Sequence, residues 1–157
     1  MASGELKVGD KAPNFTLPAD GGSKLSLTEL KGKSVVLYFY PKDDTSGCTA
    51  EAIAFTKDFK AFKAAGAVVV GVSKDSAASH DKFKAKYALS VTLAADEETK
   101  TAAAYGVWVE KSMYGRRYMG MERATFLIDP KGIIRKIWRK VRVPGHAAEV
   151  LAAAKAL

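Results

Sequence analysis

Apolar positions follow two different periods along this chain, and each change of period predicts a new element. Residues 34–40 (SVVLYFY) and 67–73 (AVVVGVS) are continuous β-branched and aromatic runs, which is typical of strands buried on both faces. Between them, apolar residues recur at helical spacing from Ala52 to Phe62, and Gly66 stands where such a helix would end. The pattern therefore predicts a strand–helix–strand unit.

Shorter segments on either side of this unit complete the predicted fold. Residues 8–30 read as short extended pieces around a turn at Gly21-Gly22. Further along, the pattern predicts a helix in 76–89, a strand in 91–96, a short helix in 97–106, a hairpin formed by 124–129 and 133–139, and a helix in 146–157. This order predicts an α/β fold with a mixed central sheet flanked by helices, in one domain over residues 1–157.

Composition is ordinary for a soluble globular protein, with 48% apolar and 27% charged residues among 157. The longest apolar runs are far too short to span a bilayer. The first residues, MASGELKVGD, lack the charged, apolar and cleavage regions of a secretory signal. We therefore expect a cytoplasmic protein with no membrane partner.

The net charge of +8, from 25 basic and 17 acidic residues, raises the question of an acidic partner or nucleic acid. The densest basic stretch is 131–142 (KGIIRKIWRKVR), where basic residues are interleaved with isoleucine, tryptophan and valine. Such spacing is typical of the solvated face of a strand. The charge pattern favours a solubilising surface, and we expect no specific nucleic-acid partner.

The chain contains one cysteine, Cys48, and two histidines, His80 and His146. A single cysteine excludes an internal disulfide and a metal site built from cysteines. Neither histidine has a nearby carboxylate at the spacing of metal ligands, so we expect no metal and no cofactor. A catalytic Cys–His pair stays open because such partners need not be adjacent in sequence. A surface or helix-end position is the favoured interpretation for both histidines.

Cys48 follows a predicted strand and its Pro41 stop, at the point where the next helix begins near Ser46 or Gly47. Helix N-termini stabilise a thiolate, and ligands of α/β sheets tend to bind beyond the carboxyl ends of strands. Thr45 and Ser46 are candidate capping residues, and Gly47 lets another group approach the thiol closely. A lone cysteine is as often a small buried apolar residue, so both interpretations stay open on this pattern alone.

The spacing Pro41-x-x-x-Thr45-x-x-Cys48 resembles the active-site signature of peroxiredoxins, thiol peroxidases with a thioredoxin-like fold. The longer stretch VVLYFYPKDDTSGCTAEA resembles the peroxiredoxin Q, or bacterioferritin comigratory protein, subfamily. Further similar segments are GVSKDSAASHDKFKAKY, KSMYGRRYMGMERATFLIDPKG and WRKVRVPGHAAEVLAAAKAL. The resemblance covers essentially residues 7–157.

This resemblance implies a role for four residues. Cys48 would be the nucleophile that attacks the peroxide, and Thr45 would hydrogen-bond and orient that peroxide. Arg123, in MERATFLID, would stabilise the thiolate and polarise the peroxide, while Pro41 would shield the sulfur from water. The implied substrates are hydrogen peroxide and small organic hydroperoxides, and the implied assembly state is a monomer.

Several neighbouring residues have competing interpretations. Without the resemblance, nothing in the sequence prefers Arg123 over the other arginines, and Thr45 and Pro41 could serve only as a helix cap and a strand end. For Glu51, a solvated helix face is favoured over a contact with the arginine. Tyr38 and Tyr40 are favoured as core residues rather than as residues lining a pocket.

The chain departs from the subfamily in lacking a resolving cysteine, the second thiol that forms a disulfide with the oxidised nucleophile. The two positions where members carry it are occupied here by Ile53 and Lys84. The resemblance therefore implies a one-cysteine enzyme whose Cys48 sulfenic acid is reduced by an outside thiol: thioredoxin, glutathione with glutaredoxin, or another small thiol. The alternative is a peroxide sensor or relay that passes oxidation to a partner through a mixed disulfide.

Overall fold

The computed structural model describes residues 5–157. Two 3₁₀-helices lie at Asp20–Gly22 and Leu27–Leu30. The strands are β1 (Thr16–Pro18), β2 (Lys24–Ser26), β3 (Ser34–Phe39), β4 (Ala67–Ser73), β5 (Thr92–Ala95), β6 (Trp108–Met113), β7 (Arg116–Met121), β8 (Ala124–Ile128) and β9 (Ile134–Trp138). The α-helices are α1 (Ser46–Lys57), α2 (Phe59–Ala64), α3 (Ala77–Tyr87), α4 (Lys100–Ala104) and α5 (His146–Lys155).

A five-stranded mixed sheet in the order β5-β4-β3-β8-β9 forms the centre of the fold. β3, β4 and β5 run parallel to one another, whereas β8 and β9 are antiparallel to their neighbours. The predicted strand–helix–strand unit and the hairpin of β8 and β9 are therefore confirmed, and so is the mixed sheet. β3 lies in the middle with a neighbour on each side, which accounts for its uninterrupted apolar sequence.

The two faces of the sheet are covered by different elements. Alternate residues of the central strand point to opposite faces, so the odd positions of 35–39 join one apolar cluster and the even positions of 36–40 join the other. The second cluster contains Cys48 and apolar residues of α1, α2, α3 and α5. The first contains residues of the N-terminal segment and α4. Helices thus flank both faces, and the thiol lies on the face that is richer in helices.

The helical segment after Cys48 is divided at Asp58 rather than continuous. Asp58 has φ −94° and ψ 10°. It is both the C-cap residue of α1 and the N-cap residue of α2. Phe55 and Phe62 are buried as the apolar spacing predicts, but Phe59 at the break is partly exposed. Gly66 follows α2 with a φ of 74°, which confirms the predicted stop.

The antiparallel hairpin of β6 and β7 is an element that the apolar pattern does not predict. It is a separate two-stranded sheet, joined by Tyr114 and Gly115. Both turn residues have positive φ, 52° and 78°, as in the two-residue turns that suit the twist of a hairpin. Most of its side chains are exposed, so the strands carry no continuous apolar signal. The hairpin leads directly to Arg123 and β8.

Close packing between β3 and β4 makes Gly71 a sensitive position. A Cβ added there would lie 2.7 Å from Tyr38 Cζ and 2.9 Å from Leu93 Cδ2, both in the core. We expect Gly71→Ala to lower the free energy of unfolding by about 1–3 kcal/mol in urea denaturation, because these buried groups must move. Gly120→Ala is the control, since its Cβ would meet mainly the flexible side chain of Lys111. Equal effects of the two substitutions would contradict this account of the packing.

Candidate active site

Cys48 lies in the first turn of α1, just beyond the carboxyl end of β3. The backbone N–H of Tyr40 still donates to Val72 O at 3.0 Å, so sheet pairing continues to the residue before Pro41. Residues 41–45, which we name the Cys48 loop, then connect the sheet to α1. The predicted helix start at Ser46 is confirmed, and Cys48 is 1% exposed.

The backbone at the start of α1 is suited to binding an anion. The first helical hydrogen bond runs from Thr49 N–H to Thr45 O at 2.8 Å, so the three preceding N–H groups have no partner within the helix. Thr45 occupies the cap position, but its side chain does not cap the helix. Its hydroxyl donates instead to Lys42 O at 2.8 Å, so the predicted side-chain cap by Thr45 is wrong. These N–H groups and the helix dipole favour negative charge beside Cys48.

Arg123 contacts the sulfur from the neighbouring strand. Its Nη2 donates to Cys48 Sγ at 3.4 Å, and its Nη1 donates to Glu51 Oε1 at 2.7 Å. The antiparallel register pairs Phe39 with Ala124, so the residue before β8 lies beside the point where β3 ends. The structure thus brings Arg123 and Cys48 together although they are 75 positions apart in the sequence.

Glu51 is buried, and the interpretation as a solvated helix-face residue is wrong. It lies three positions after Cys48, on the same side of α1, and is 1% exposed. Burial raises the pKa of Glu51 to about 7, although the charge and hydrogen bond of Arg123 act in the opposite direction. Burial likewise works against charge on Arg123, but the Glu51 and Cys48 charges outweigh it and raise the Arg123 pKa.

Gly47 provides the space that Arg123 needs. A Cβ at this position would lie 3.0 Å from Arg123 Nη2, closer than ordinary van der Waals contact. The group expected to approach the thiol closely is therefore the guanidinium of Arg123.

Tyr38 and Tyr40 are both buried, which confirms them as core residues. The Tyr38 ring stacks on Phe55 with centroids 4.7 Å apart. Burial, and after it the nearby charges of Glu51 and Cys48, raise the pKa of Tyr38 well above its ordinary value. Its hydroxyl therefore stays protonated beside the site.

The interpretation as a surface or helix-end position is wrong for His80, which is fully buried, whereas it is confirmed for His146 as a helix-end position, since His146 begins α5 although it is buried. His146 Nε2 lies 2.8 Å from Thr125 Oγ1, and His80 contacts Asp43. Neither histidine is a hydrogen-bond partner of Cys48 among residues 5–157, which leaves the Cys–His pair unsupported. In the same part of the chain, no group of three or more histidine, cysteine or acidic side chains is arranged to hold a metal ion.

The two positions matched to resolving cysteines differ in their surroundings. Ile53 lies on α1 and is 44% exposed. Lys84 lies on α3 and donates to Asp20 Oδ2 at 2.8 Å. At the second position an ion pair between α3 and the N-terminal 3₁₀-helix therefore occupies the place of a thiol.

Comparisons with known proteins show which family the chain belongs to. Residues 8–137 match the model of the AhpC/TSA family. The chain is 49% identical over 146 residues to peroxiredoxin Bcp of Bacillus subtilis strain 168, covering 93% of each protein. Solved structure comparisons give a TM-score of 0.87 at 45% identity for Xanthomonas campestris peroxiredoxin Q, covering 90% of each chain. A Xylella fastidiosa PrxQ mutant gives 0.92 at 40% identity, covering 97% of each chain.

The cysteine content distinguishes this chain from one of these relatives. Two of the similar X. campestris structures are mutants in which one or the other of two cysteines is replaced by serine, so that protein has at least two. Here Cys48 stands alone. The match nevertheless extends over sequence, fold and the segment around the thiol, and this chain belongs to the AhpC/TSA family as a one-cysteine peroxiredoxin, a thiol peroxidase of the Bcp or PrxQ type.

Proposed function

We propose that this peroxiredoxin reduces hydrogen peroxide and small organic hydroperoxides with Cys48 as its nucleophile. The observation that carries the proposal is the 3.4 Å contact between Arg123 Nη2 and Cys48 Sγ at the N-terminus of α1. An arginine and a helix N-terminus both stabilise a thiolate, and the thiolate is the nucleophilic form of cysteine.

The reaction is a displacement at oxygen. The Cys48 thiolate attacks the terminal oxygen of the peroxide, an S–O bond forms and the O–O bond breaks. The sulfur is oxidised to sulfenic acid while the peroxide is reduced, and the leaving hydroxide or alkoxide takes up a proton to become water or an alcohol. Arg123 and the N–H groups of the first turn of α1 stabilise the charge that develops on the peroxide oxygens.

Thr45 and Pro41 shape the proposed pocket. The Thr45 hydroxyl proton is directed to Lys42 O, so the oxygen lone pairs remain to accept a hydrogen bond from the peroxide O–H. Pro41 stiffens the exposed turn that follows β3 and shields the sulfur from water on the solvent side.

Small substrates fit the burial of the sulfur. Because Cys48 is 1% exposed, a compact molecule reaches it with the least movement of the loop. A similar X. campestris protein, 44% identical, is described in connection with alkyl peroxide reduction, which supports the inclusion of organic hydroperoxides.

Reduction requires a thiol from outside the chain, because Cys48 is the single cysteine. The first thiol displaces water from the sulfenic acid to give a mixed disulfide, and a second thiol releases Cys48. Thioredoxin, or glutathione with glutaredoxin, are the proposed reductants. The protein would act as a cytoplasmic monomer in one domain, with neither specific nucleic acid nor membrane as partner. A separate finding is that no helix within residues 5–157 is long and apolar enough to cross a membrane.

A second candidate function is a relay that passes oxidation to another protein. Its supporting observation is the exposed apolar tip of the β6–β7 hairpin, where Tyr114 is 98% exposed and Met113 is also exposed. The hairpin leads to Arg123, so a bound partner would lie on a segment continuous with the site. Slow turnover with every reductant, together with Cys48–partner disulfides, would favour the relay over the peroxidase.

The role of the guanidinium is tested with Arg123→Lys. Lysine keeps the charge but loses the fork that contacts Glu51 and Cys48 together. We expect kcat/KM for hydrogen peroxide, with dithiothreitol as reductant, to fall about 10²-fold.

Arg117→Lys is the matched control, since Arg117 lies exposed on the hairpin, and it should retain the parent rate. Cys48→Ser should abolish peroxide consumption. Parent activity in Cys48→Ser would refute the proposed chemistry, and equal rates in both lysine variants would refute the role of Arg123.

The buried Glu51 predicts a pH-dependent stability. The folded protein holds the Glu51 proton up to a pH of about 7, whereas the ordinary glutamate value is 4.5. Its contribution to the free energy of unfolding is therefore fully present below pH 4.5 and is lost as the pH rises through about 7. The difference between parent and Glu51→Gln should change by something on the order of 3 kcal/mol across this window in urea unfolding. A difference that stays constant with pH would contradict the raised pKa.

A further inference from the structure

A buried polar cluster behind the Cys48 loop has no part in the chemistry above. Asp43, in the middle of the loop, is 7% exposed, and His80 on α3 is fully buried. Tyr40 at the end of β3 and Ser79 on α3 complete the cluster. Since buried ionisable groups are costly unless they are paired, each proton in the cluster has to be accounted for.

Both ring nitrogens of His80 face hydrogen-bond acceptors. Nε2 lies 2.9 Å from the backbone oxygen of Ala94, which accepts but never donates. Nδ1 lies 2.8 Å from Asp43 Oδ2. A proton on Nε2 is therefore required, and the state of Nδ1 depends on whether Asp43 is ionised.

The other partners of Asp43 indicate that it is ionised. Its Oδ1 accepts the Tyr40 hydroxyl at 2.6 Å, and its Oδ2 accepts the Ser79 hydroxyl at 2.8 Å. The Tyr40 proton is thus already used, although this hydroxyl also lies 3.4 Å from His80 Nδ1. With two hydroxyl donors on the carboxylate, the remaining proton belongs on Nδ1, which makes His80 an imidazolium.

The charges around the pair favour this state. Burial alone would lower the pKa of His80, but the hydrogen bond and charge of Asp43 raise it above its ordinary value, with Asp75 acting in the same direction. Burial would raise the pKa of Asp43, but the hydrogen bonds of His80 and Tyr40 lower it. Asp75 Oδ2 also accepts the backbone N–H of Asp43 at 2.8 Å, so acidic groups face the histidine from two loops.

We propose that His80 and Asp43 form a buried imidazolium–carboxylate pair that fixes the Cys48 loop against α3, and that both are positioning residues for Thr45 and Cys48. Asp43 is two positions before Thr45 and five before Cys48, so a shift at Asp43 moves the start of α1. The pair exists whether or not the site reduces peroxide; its effect on catalysis rests on the proposed function.

The next residue shows why the loop needs such a fixed point. Asp44 has a φ of 59°, in the left-handed region that most residues other than glycine avoid and that aspartate adopts more readily than most. Its carboxylate accepts Lys86 Nζ at 2.7 Å and the Tyr87 hydroxyl at 2.5 Å. Both aspartates therefore attach the loop to α3, but the Asp44 contacts are exposed to solvent and screened, whereas the pair of Asp43 is buried.

The pair predicts loosening of the loop as the pH rises through the raised pKa of His80. The contribution of His80 is fully present below the ordinary histidine pKa of 6.5 and is lost as the pH rises through the raised pKa, because Nδ1 then presents a lone pair to the carboxylate. The contribution of Asp43 is lost only as the pH falls through its lowered pKa. The loop is therefore held most firmly between these two pKa values.

The first test is the protonation of His80, measured by long-range ¹H–¹⁵N NMR at about pH 6.5. We expect both nitrogens of His80 to be protonated in the parent protein and one in Asp43→Asn. His146 serves as the internal reference because its Nε2 lies 2.8 Å from the neutral Thr125 hydroxyl, and burial lowers its pKa although the Glu149 charge acts in the opposite direction. A singly protonated His80 in the parent would overturn the proposal.

The second test compares amide hydrogen-exchange protection of residues 41–48 in the parent, His80→Gln and Asp44→Asn. We expect parent protection to fall as the pH rises through the His80 pKa, and Asp44→Asn to keep this pH dependence. His80→Gln should lose about ten- to hundredfold protection at about pH 6.5. Unchanged protection in His80→Gln would overturn the proposal. If His80→Gln does not fold, Asp43→Asn takes its place with the same expected loss.

The third test measures the rate of Cys48 oxidation. The rate constant for Cys48 oxidation by hydrogen peroxide should be lower in His80→Gln at about pH 6.5. It should approach that of the parent as the pH rises and the parent loop loosens. A constant ratio between the two at every pH would overturn the positioning role. The NMR and exchange measurements need no peroxidase activity, so their failure is distinguishable from a failure of the proposed function.

Discussion

The arrangement of the residues around the site depends on the contact between the Arg123 guanidinium and the Cys48 sulfur. A partly buried cation beside a thiol is tolerated only where other groups neutralise it and its donors are used. Glu51 Oε1 accepts one of these donors at 2.7 Å, and Gly47 leaves the space in which the guanidinium lies. The antiparallel pairing of β3 and β8 delivers the arginine to the carboxyl end of β3. The site is thus a consequence of the sheet topology as much as of the motif.

A second set of contacts holds the other side of the site. Helix α3 is attached to the Cys48 loop through Asp43 and Asp44, and to the N-terminal 3₁₀-helix through Lys84 and Asp20. Lys84 is one of the two positions matched to a resolving cysteine, and here it contributes an ion pair to this arrangement. The side chains of α3 thus support the loop.

Local sequence patterns predicted the elements whose burial is visible in their own residues. β3 and β4 are buried on both faces, so their sequences are uniformly apolar and easily recognised. The β6–β7 hairpin is mostly exposed and therefore carries no such signal. The glycine of the Tyr114-Gly115 turn was the clue that the sequence offered. The motif around Cys48 found the thiol segment because its residues are adjacent in sequence.

The misjudged residues are those whose environment is set by distant segments. The sequence around Glu51 suggests a solvated helix residue, but in the fold Arg123 lies beside it. The sequence around His80 suggests a surface residue, but in the fold Asp43 lies beside it. Burial of a polar group depends on a partner 72 positions away in the first case and 37 in the second. No periodicity within a single helix contains that information.

Mass spectrometry of the intact protein after a brief hydrogen peroxide pulse tests the central claim most directly, since Cys48 is the single thiol. The account predicts one added oxygen on Cys48 in the absence of reductant, and a Cys48–glutathione disulfide when glutathione is present. An unmodified Cys48 after a pulse in which peroxide is consumed would contradict it.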